Sequence, residues 1–358
     1  MPCGMFSIRG SGRTGDRHME NEVLLLVTDL HTHFFTDDGV VKAVDGVSFL
    51  VRKGRTLGIV GESGCGKSIT ALSILRLLDH PGRVVAGEIR FKGKNLLSLT
   101  ENEMRAIRGC TISIIFQDPM TALNPVLTIG DQLSEVLLVH QGMTPHEARI
   151  AVIDMLSRVG VTEPQKRFEQ YAHVLSGGIQ QRAMIAMALL CKPDLLLADE
   201  PTTALDVTIQ AQILELMRDI QHDLETSIVF ITHDLGVIAE LAHDIVVMYA
   251  GKIVESAPVR KLFNDPRHPY TQGLLKCLPR LDADETELFT IRGIVPGPFD
   301  VVAGCAYHTR CRYVKSICRD RSPTLEEVAP GHQAACWRSR DEYNTAEPIS
   351  SEPSTRED

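Results

Sequence analysis

The sequence runs to 358 residues, 44% hydrophobic and 23% charged, with a net charge of −9. That length and balance fit a globular chain of about two domains, and the acidic excess argues against a general nucleic-acid binder, since phosphate backbones attract basic surfaces. No apolar run approaches the ~20 residues of a membrane helix, and Arg9, Arg13 and Arg17 are not followed by the apolar core of a secretory signal.

Residues 1–20 are expected to form a disordered extension, or to precede a true start at Met19. Residues 23–35 and 40–51 read as strands joined by the turn Thr36-Asp37-Asp38-Gly39. Phe34 and Phe35 close the first of them, and two readings stay open: an aromatic that stacks on a nucleobase, or edge-strand core aromatics. Residues 56–60 form a short apolar strand. It leads into Gly61-Glu62-Ser63-Gly64-Cys65-Gly66-Lys67-Ser68, which fits the phosphate-loop pattern G-x-x-x-x-G-K-[ST], and into a helix predicted over 67–78. Glycines let successive N–H groups turn toward one anion, and the helix N-terminus aims its dipole at the same point. In such a loop a lysine reaches the β- and γ-phosphates and a serine hydroxyl holds Mg²⁺.

Residues 87–93 read as a strand, and Thr100 with Glu103 makes a capping box that opens a helix. Residues 111–116 are apolar and β-branched and end at Gln117. From 128 to 160 the pattern is helical, with Thr144-Pro145-His146-Glu147 as a helix start. A helix over 180–190 follows Leu175-Ser176-Gly177-Gly178, a second candidate anion site by the dipole argument. Residues 194–198 form an apolar run too short for a helix and consistent with a buried parallel strand. They end in Asp199-Glu200, at a sheet edge where α/β proteins place ligands. Asp199 suits Mg²⁺, and Glu200 suits a general base that activates water. A turn over 201–206, an amphipathic helix over 207–224 and a strand over 227–232 lead to His233, a candidate γ-phosphate sensor. Strands over 244–249 and 252–257 complete a largely parallel α/β core.

The ordered set of Gly61–Ser68, Gln117, Leu175-Ser176-Gly177-Gly178, Leu195–Glu200, Thr203-Ala204-Leu205-Asp206 and His233 resembles the nucleotide-binding domain of ABC ATPases, over about residues 23–257. The resemblance implies an ABC-type P-loop fold over 21–257 with a helical subdomain at about 118–180. It implies head-to-tail pairing of two cassettes, each ATP lying between one phosphate loop and the partner's Ser-Gly-Gly segment. It assigns nucleotide contacts to Phe34, Gly61, Ser63, Gly64, Cys65, Gly66, Lys67, Ser68, Ile69, Ser176, Gly177, Gly178 and Asp206, with Phe34 as the base-stacking residue. Mg²⁺ falls to Ser68, Gln117 and Asp199, and catalysis to Glu200, His233 and Gln117. Ile179 departs from the glutamine many members carry after the second glycine, so contact there is expected through Ser176 and the backbone of Gly177 and Gly178.

Beyond 257 the chain changes character. Arg267-His268-Pro269-Tyr270-Thr271-Gln272-Gly273-Leu274-Leu275 and Pro279-Arg280-Leu281 resemble the C-terminal extension of ATP-binding subunits from oligopeptide and dipeptide importers, as do residues 116–125 and 231–236. Cys305-x5-Cys311-x6-Cys318-x17-Cys336, in a chain whose nine cysteines lack a secretory signal and so imply a reducing compartment, suggests a metal centre. The spacing is wider than zinc-finger pairs and unlike either ferredoxin pattern. The resemblance favours a [4Fe–4S] cluster of structural role in this small Cys-rich extension (258–340), with Zn²⁺ or free thiols as alternatives. Residues 341–358 are polar and acidic and are expected to be disordered.

The resemblance further implies a peripheral protein on the cytoplasmic face of the inner membrane. Its partners would be two transmembrane permeases, an extracytoplasmic peptide-binding protein and a second, related but non-identical cassette, with no nucleic acid. Import of nickel or another cargo, a soluble non-transport ABC ATPase, and an iron–sulfur sensor are the rival readings. A single cassette, no sustained heptads and an acidic balance speak against the soluble class.

Overall fold

The computed structural model describes residues 23–203, 206–278, 290–297, 299–300 and 302–339. The predicted tails and the Pro279-Arg280-Leu281 stretch lie outside them.

In chain order, β1 (Val23–Thr36) and β2 (Gly39–Arg52) form a long hairpin, followed by β3 (Thr56–Val60), α1 (Lys67–Leu75), β4 (Gly82–Phe91), β5 (Lys94–Asn95), α2 (Glu101–Ile107) and β6 (Ile112–Ile115). A helical stretch comes next: α3 (Pro119–Ala122), α4 (Ile129–Gln141), α5 (Pro145–Arg158), α6 (Pro164–Phe168) and α7 (Gly177–Leu189). Then β7 (Leu195–Asp199), α8 (Val207–Leu224), β8 (Ser227–Thr232), α9 (Leu235–Leu241), β9 (Asp244–Tyr249) and β10 (Lys252–Pro258) complete the α/β part. The C-terminal part adds α10 (Val259–Asn264), α11 (Pro269–Lys276), α12 (Ser316–Asp320), β11 (Glu326–Ala329) and β12 (His332–Ala334).

One sheet is antiparallel, in the order β2-β1-β4-β5, and the other is mixed, in the order β11-β12-β10-β9-β3-β8-β7-β6. From β9 to β6 the pairings are parallel. The parallel strands of the mixed sheet are buried on both faces, and their alternating side chains divide between two cores. Leu57 and Ile59 of β3, Leu195 and Leu197 of β7 and Val229 and Ile231 of β8 point with α1 toward the antiparallel sheet. Leu196, Ala198, Ile228 and Phe230 point the other way, toward α7, α8 and α9. The phosphate-loop helix is thus sandwiched between two sheets, while the opposite face carries the helical layer. The C-terminal segment extends this mixed sheet, because β12 pairs with β10 at Glu255↔Ala334 and Ser256↔Gln333.

Most predicted elements stand within a residue or two. Both capping boxes close, Thr100 with Glu103 and Thr144 with Glu147, each worth about 1 kcal/mol by removing orphan helix donors. Three boundaries differ. The helix predicted over 67–78 stops at Leu75 because Arg76 turns left-handed (φ 53) and spends its guanidinium on the carbonyls of Leu96 and Leu99. The strand predicted over 87–93 begins at Gly82, since its first half pairs with β1 through His33↔Arg83 and Phe34↔Gly82. The helix predicted over 180–190 starts at Gly177 and ends at Leu189, with Ser176 as its N-cap.

Candidate active site

The loop between β3 and α1 is built against the β9–β10 turn. A Cβ on Gly61 would lie 2.3 Å from the Met248 carbonyl oxygen, and one on Gly66 (φ +103) 2.3 Å from that of Ala43; only glycine fits either place. Gly251 N–H donates to the Cys65 carbonyl at 3.0 Å. Ser63 and Gly64 face solvent, whereas Lys67 is 4% exposed. Its Nζ donates to the carbonyls of Gly61 (2.9 Å) and Glu62 (3.1 Å) and lies 3.9 Å from Glu200 Oε1.

The C-terminal ends of the parallel strands bring the predicted polar residues to this loop. Ser68 Oγ donates to Asp199 Oδ1 at 3.0 Å. Burial pushes the Asp199 carboxyl up, the Ser68 bond opposes this, and the neighbouring Glu200 charge adds to it. A bound divalent cation would reverse that balance, and the hydroxyl and carboxylate oxygens are the hard donors such an ion takes. Glu200, 8% exposed, sits at the strand end with φ 46, a left-handed conformation that costs a non-glycine residue about 1–3 kcal/mol. Its N–H is held by the Ile231 carbonyl at 2.9 Å. Its Oε2 accepts from Gln117 Nε2 (3.1 Å) and Thr203 Oγ1 (2.9 Å) and faces His233 Nδ1 at 3.4 Å. Lys67, Ser68, Gln117, Asp199, Glu200 and His233, scattered over the sequence, are one connected polar cluster.

Other predicted residues stand apart from that cluster. Ser176 and Gly177 are exposed, and a Cβ on Gly177 would meet nothing within 4 Å. A link back to the carboxylate loop exists further along α7, where Gln181 Nε2 donates to the Pro201 carbonyl at 2.5 Å. Ile179 packs partly buried against the helical core. Asp206 caps α8, accepting from Ile209 N–H at 2.9 Å. The Phe34 ring rests on Gly82, where a Cβ would come within 2.6 Å of it, and Phe35 lies under the Arg83 guanidinium at 4.1 Å. Ile69 is half-buried on α1.

Sequence reasoning missed three neighbours of the loop. Thr203 belongs to a motif but had no role. Tyr270 and Arg310 lie far down the chain: Glu62 N–H donates to Tyr270 Oη at 2.9 Å, and Arg310 Nη1 donates to the two Glu62 carboxylate oxygens at 3.1 and 3.0 Å. Neither periodicity nor spacing carries a signal for contacts of that range.

The four C-terminal cysteines converge. Cys305, Cys311, Cys318 and Cys336 line one cavity with His268, Tyr307 and others. Burial pushes the Cys305 thiol up to about 11 and Cys311 up to about 12, so a site able to hold them as thiolates needs a cation. Among the described residues, the trio of ligand atoms mutually within 4.8 Å is His31, His33 and Asp45; the four sulfur atoms are spread wider than that.

A family profile described as ABC transporter matches residues 44–203, and one described as the C-terminal region of oligopeptide/dipeptide transporters matches 254–318. The chain is 51% identical over 325 residues to a probable peptide ABC transporter ATP-binding protein, y4tR, of Sinorhizobium fredii, covering 90% of this chain and 97% of that one. It is 52% identical over 317 residues to the dipeptide transport ATP-binding protein DppD of Bacillus subtilis (88% and 95%), and 48% identical over 313 residues to DppD of Escherichia coli (87% and 96%). Among solved structures it is similar to the dimeric bacterial ABC transporter cassette MJ0796, with a TM-score of 0.60 and 26% identity over 66% of this chain and 99% of that one.

Proposed function

The chain belongs to the ATP-binding subunits of peptide ABC transporters, and from that premise we infer that it binds and hydrolyses ATP to power peptide import. The observation that carries the reading is the single polar cluster in which the phosphate loop, Asp199, Glu200, Gln117 and His233 meet.

We propose the following roles, which this geometry supports. Lys67 and the loop amides hold the β- and γ-phosphates; on nucleotide binding Lys67 exchanges its two loop carbonyls for phosphate oxygens. Ser68, Asp199 and Gln117 would hold Mg²⁺ through their oxygens, and the ion would offset the charge of the triphosphate. Glu200 takes a proton from water as its oxygen attacks the γ-phosphorus in line and the bond to the β-phosphate oxygen breaks, leaving ADP and phosphate. Thr203 and His233 fix the carboxylate from two sides. The Ser176-Gly177-Gly178 end of α7, exposed at Ser176 and Gly177, offers N–H groups and a helix dipole to an ATP held by a second cassette, which closes the pair. We take Phe34 as the base-stacking aromatic and Asp206 as a residue of the closed interface.

No helix of the described residues is long and apolar enough to cross a membrane; from the family we propose that the permease pathway belongs to partner chains and that this subunit works peripherally at the cytoplasmic face. We propose two permeases, a peptide-binding protein and a related second cassette as partners. The C-terminal thiols fit a metal centre, since all four line one cavity. The family resemblance favours a [4Fe–4S] cluster there, with one Zn²⁺ ion as the alternative. Such a group would cross-link the segment covalently; Cys305, Cys311, Cys318 and Cys336 would hold it. Chain purified without oxygen is expected to be brown and to carry iron and sulfide, whereas stoichiometric zinc without iron would reject the cluster.

Glu200→Gln tests the catalytic reading. It is expected to bind ATP as the unaltered chain does while turnover drops by about 10²–10⁴-fold; normal turnover would remove Glu200 from its role.

A further inference from the structure

Glu62 is an unexpected residue in a loop that receives a triphosphate. Its carboxylate, 26% exposed, occupies the second position of Gly61–Ser68 and would repel any polyphosphate nearby. The cation that answers it comes from the other end of the chain. Arg310, 5% exposed, sits on the single turn His308–Arg310 between Cys305 and Cys311. Its Nη1 meets both carboxylate oxygens, its Nε donates to the Arg292 carbonyl at 3.1 Å, and Tyr249 Oη lies 3.4 Å away. The rings of Tyr249 and Tyr307 flank the guanidinium at 5.8 and 5.9 Å. Arginine does not give up its proton in proteins, so this buried side chain is a permanent positive charge aimed at the phosphate loop. The backbone of the same glutamate is held from the same region, through its N–H to Tyr270 Oη at 2.9 Å.

A docking contact alone could fall anywhere on the cassette. Here two independent contacts from the C-terminal region converge on one residue of the nucleotide loop, one fixing its backbone and one cancelling its charge. We propose that Arg310 is a positioning residue for the nucleotide: by neutralising Glu62, while Tyr270 fixes the loop, it sets the affinity of the phosphate loop for MgATP. The C-terminal region is then part of the nucleotide site rather than an appendage to it. The proposal rests on reading Gly61–Ser68 as the ATP site.

The test is a mutant cycle on the full chain, with MgATP affinity by calorimetry, steady-state ATPase kinetics, and melting without nucleotide as a check on folding. Arg310→Met is expected to weaken MgATP binding about tenfold, raising KM while kcat changes by less than about threefold. Glu62→Gln in that background is expected to restore affinity to within about threefold, because the repulsive charge has gone with its partner. Where Arg310→Met does not fold, the double variant decides alone: near-normal affinity supports the proposal, and a tenfold loss overturns it. Unchanged affinity in folded Arg310→Met, or a loss that Glu62→Gln leaves in place, overturns it as well. An unaltered chain that binds no MgATP would instead remove the nucleotide reading and this proposal with it.

Discussion

Glu255 joins the C-terminal region to the cassette, and Glu255→Gln puts a number on that joint. The carboxylate is fully buried on β10 and accepts from Arg267 N–H at 2.7 Å, His268 N–H at 2.8 Å and His332 Nε2 at 2.7 Å. Glutamine keeps the shape but offers one acceptor oxygen where two are in use. Either the His268 amide, or the Arg267 amide with the His332 ring, loses its partner in a dry site. One unsatisfied buried donor costs about 1–3 kcal/mol, and replacing charged with neutral acceptors at the rest costs about 1 kcal/mol more, so the expected loss is about 2–4 kcal/mol. The same stretch delivers Tyr270 to Glu62, so MgATP affinity should fall as well. Denaturant unfolding and nucleotide titration on the full chain check both parts. A loss below about 0.5 kcal/mol, the usual effect of a surface substitution, would refute the reasoning.

Two further outcomes are expected. Lys67→Ala should abolish measurable ATP binding by calorimetry, because it removes the buried cation nearest the loop; unchanged binding would contradict the phosphate-loop assignment. Burial lowers the His268 imidazole to about 4, and its Nδ1 accepts from Tyr270 N–H at 3.1 Å, so the folded chain keeps it neutral. The unfolded chain binds a proton there below its ordinary value near 6.5, so stability should fall as pH drops from about 6.5 to about 4, by up to about 3 kcal/mol. His268→Asn, which can still cap α11, should flatten acid-induced unfolding over that window.

The parts of the fold written in local chemistry were legible in the sequence. Helix starts followed capping boxes, α8 and β8 fell where periodicity put them, and the phosphate loop followed from four fixed positions. The ends that moved were set by distant partners: Arg76 ends α1 to reach the carbonyls of Leu96 and Leu99, and β4 starts early because β1 is long enough to pair with it. The cluster of Lys67, Asp199, Glu200 and His233 could be named because each closes a strand or opens a helix on the same sheet edge. The Arg310–Glu62 pair could not. Its members are 248 residues apart, and Arg310 lies in a C-terminal region whose β12 pairs with β10. The cysteines showed a shared purpose by type and number, while their convergence on one cavity needed the fold.

We propose that each ATP is shared by two cassettes, the Ser176-Gly177-Gly178 end of one completing the phosphate loop of the other. The molar mass of the Glu200→Gln chain in solution, alone and with its companion cassette, tests it most directly. A pair that forms with MgATP, comes apart with ADP, and fails to form when Ser176 is also changed to Arg is the predicted result. Monomers at saturating MgATP in both mixtures would contradict it.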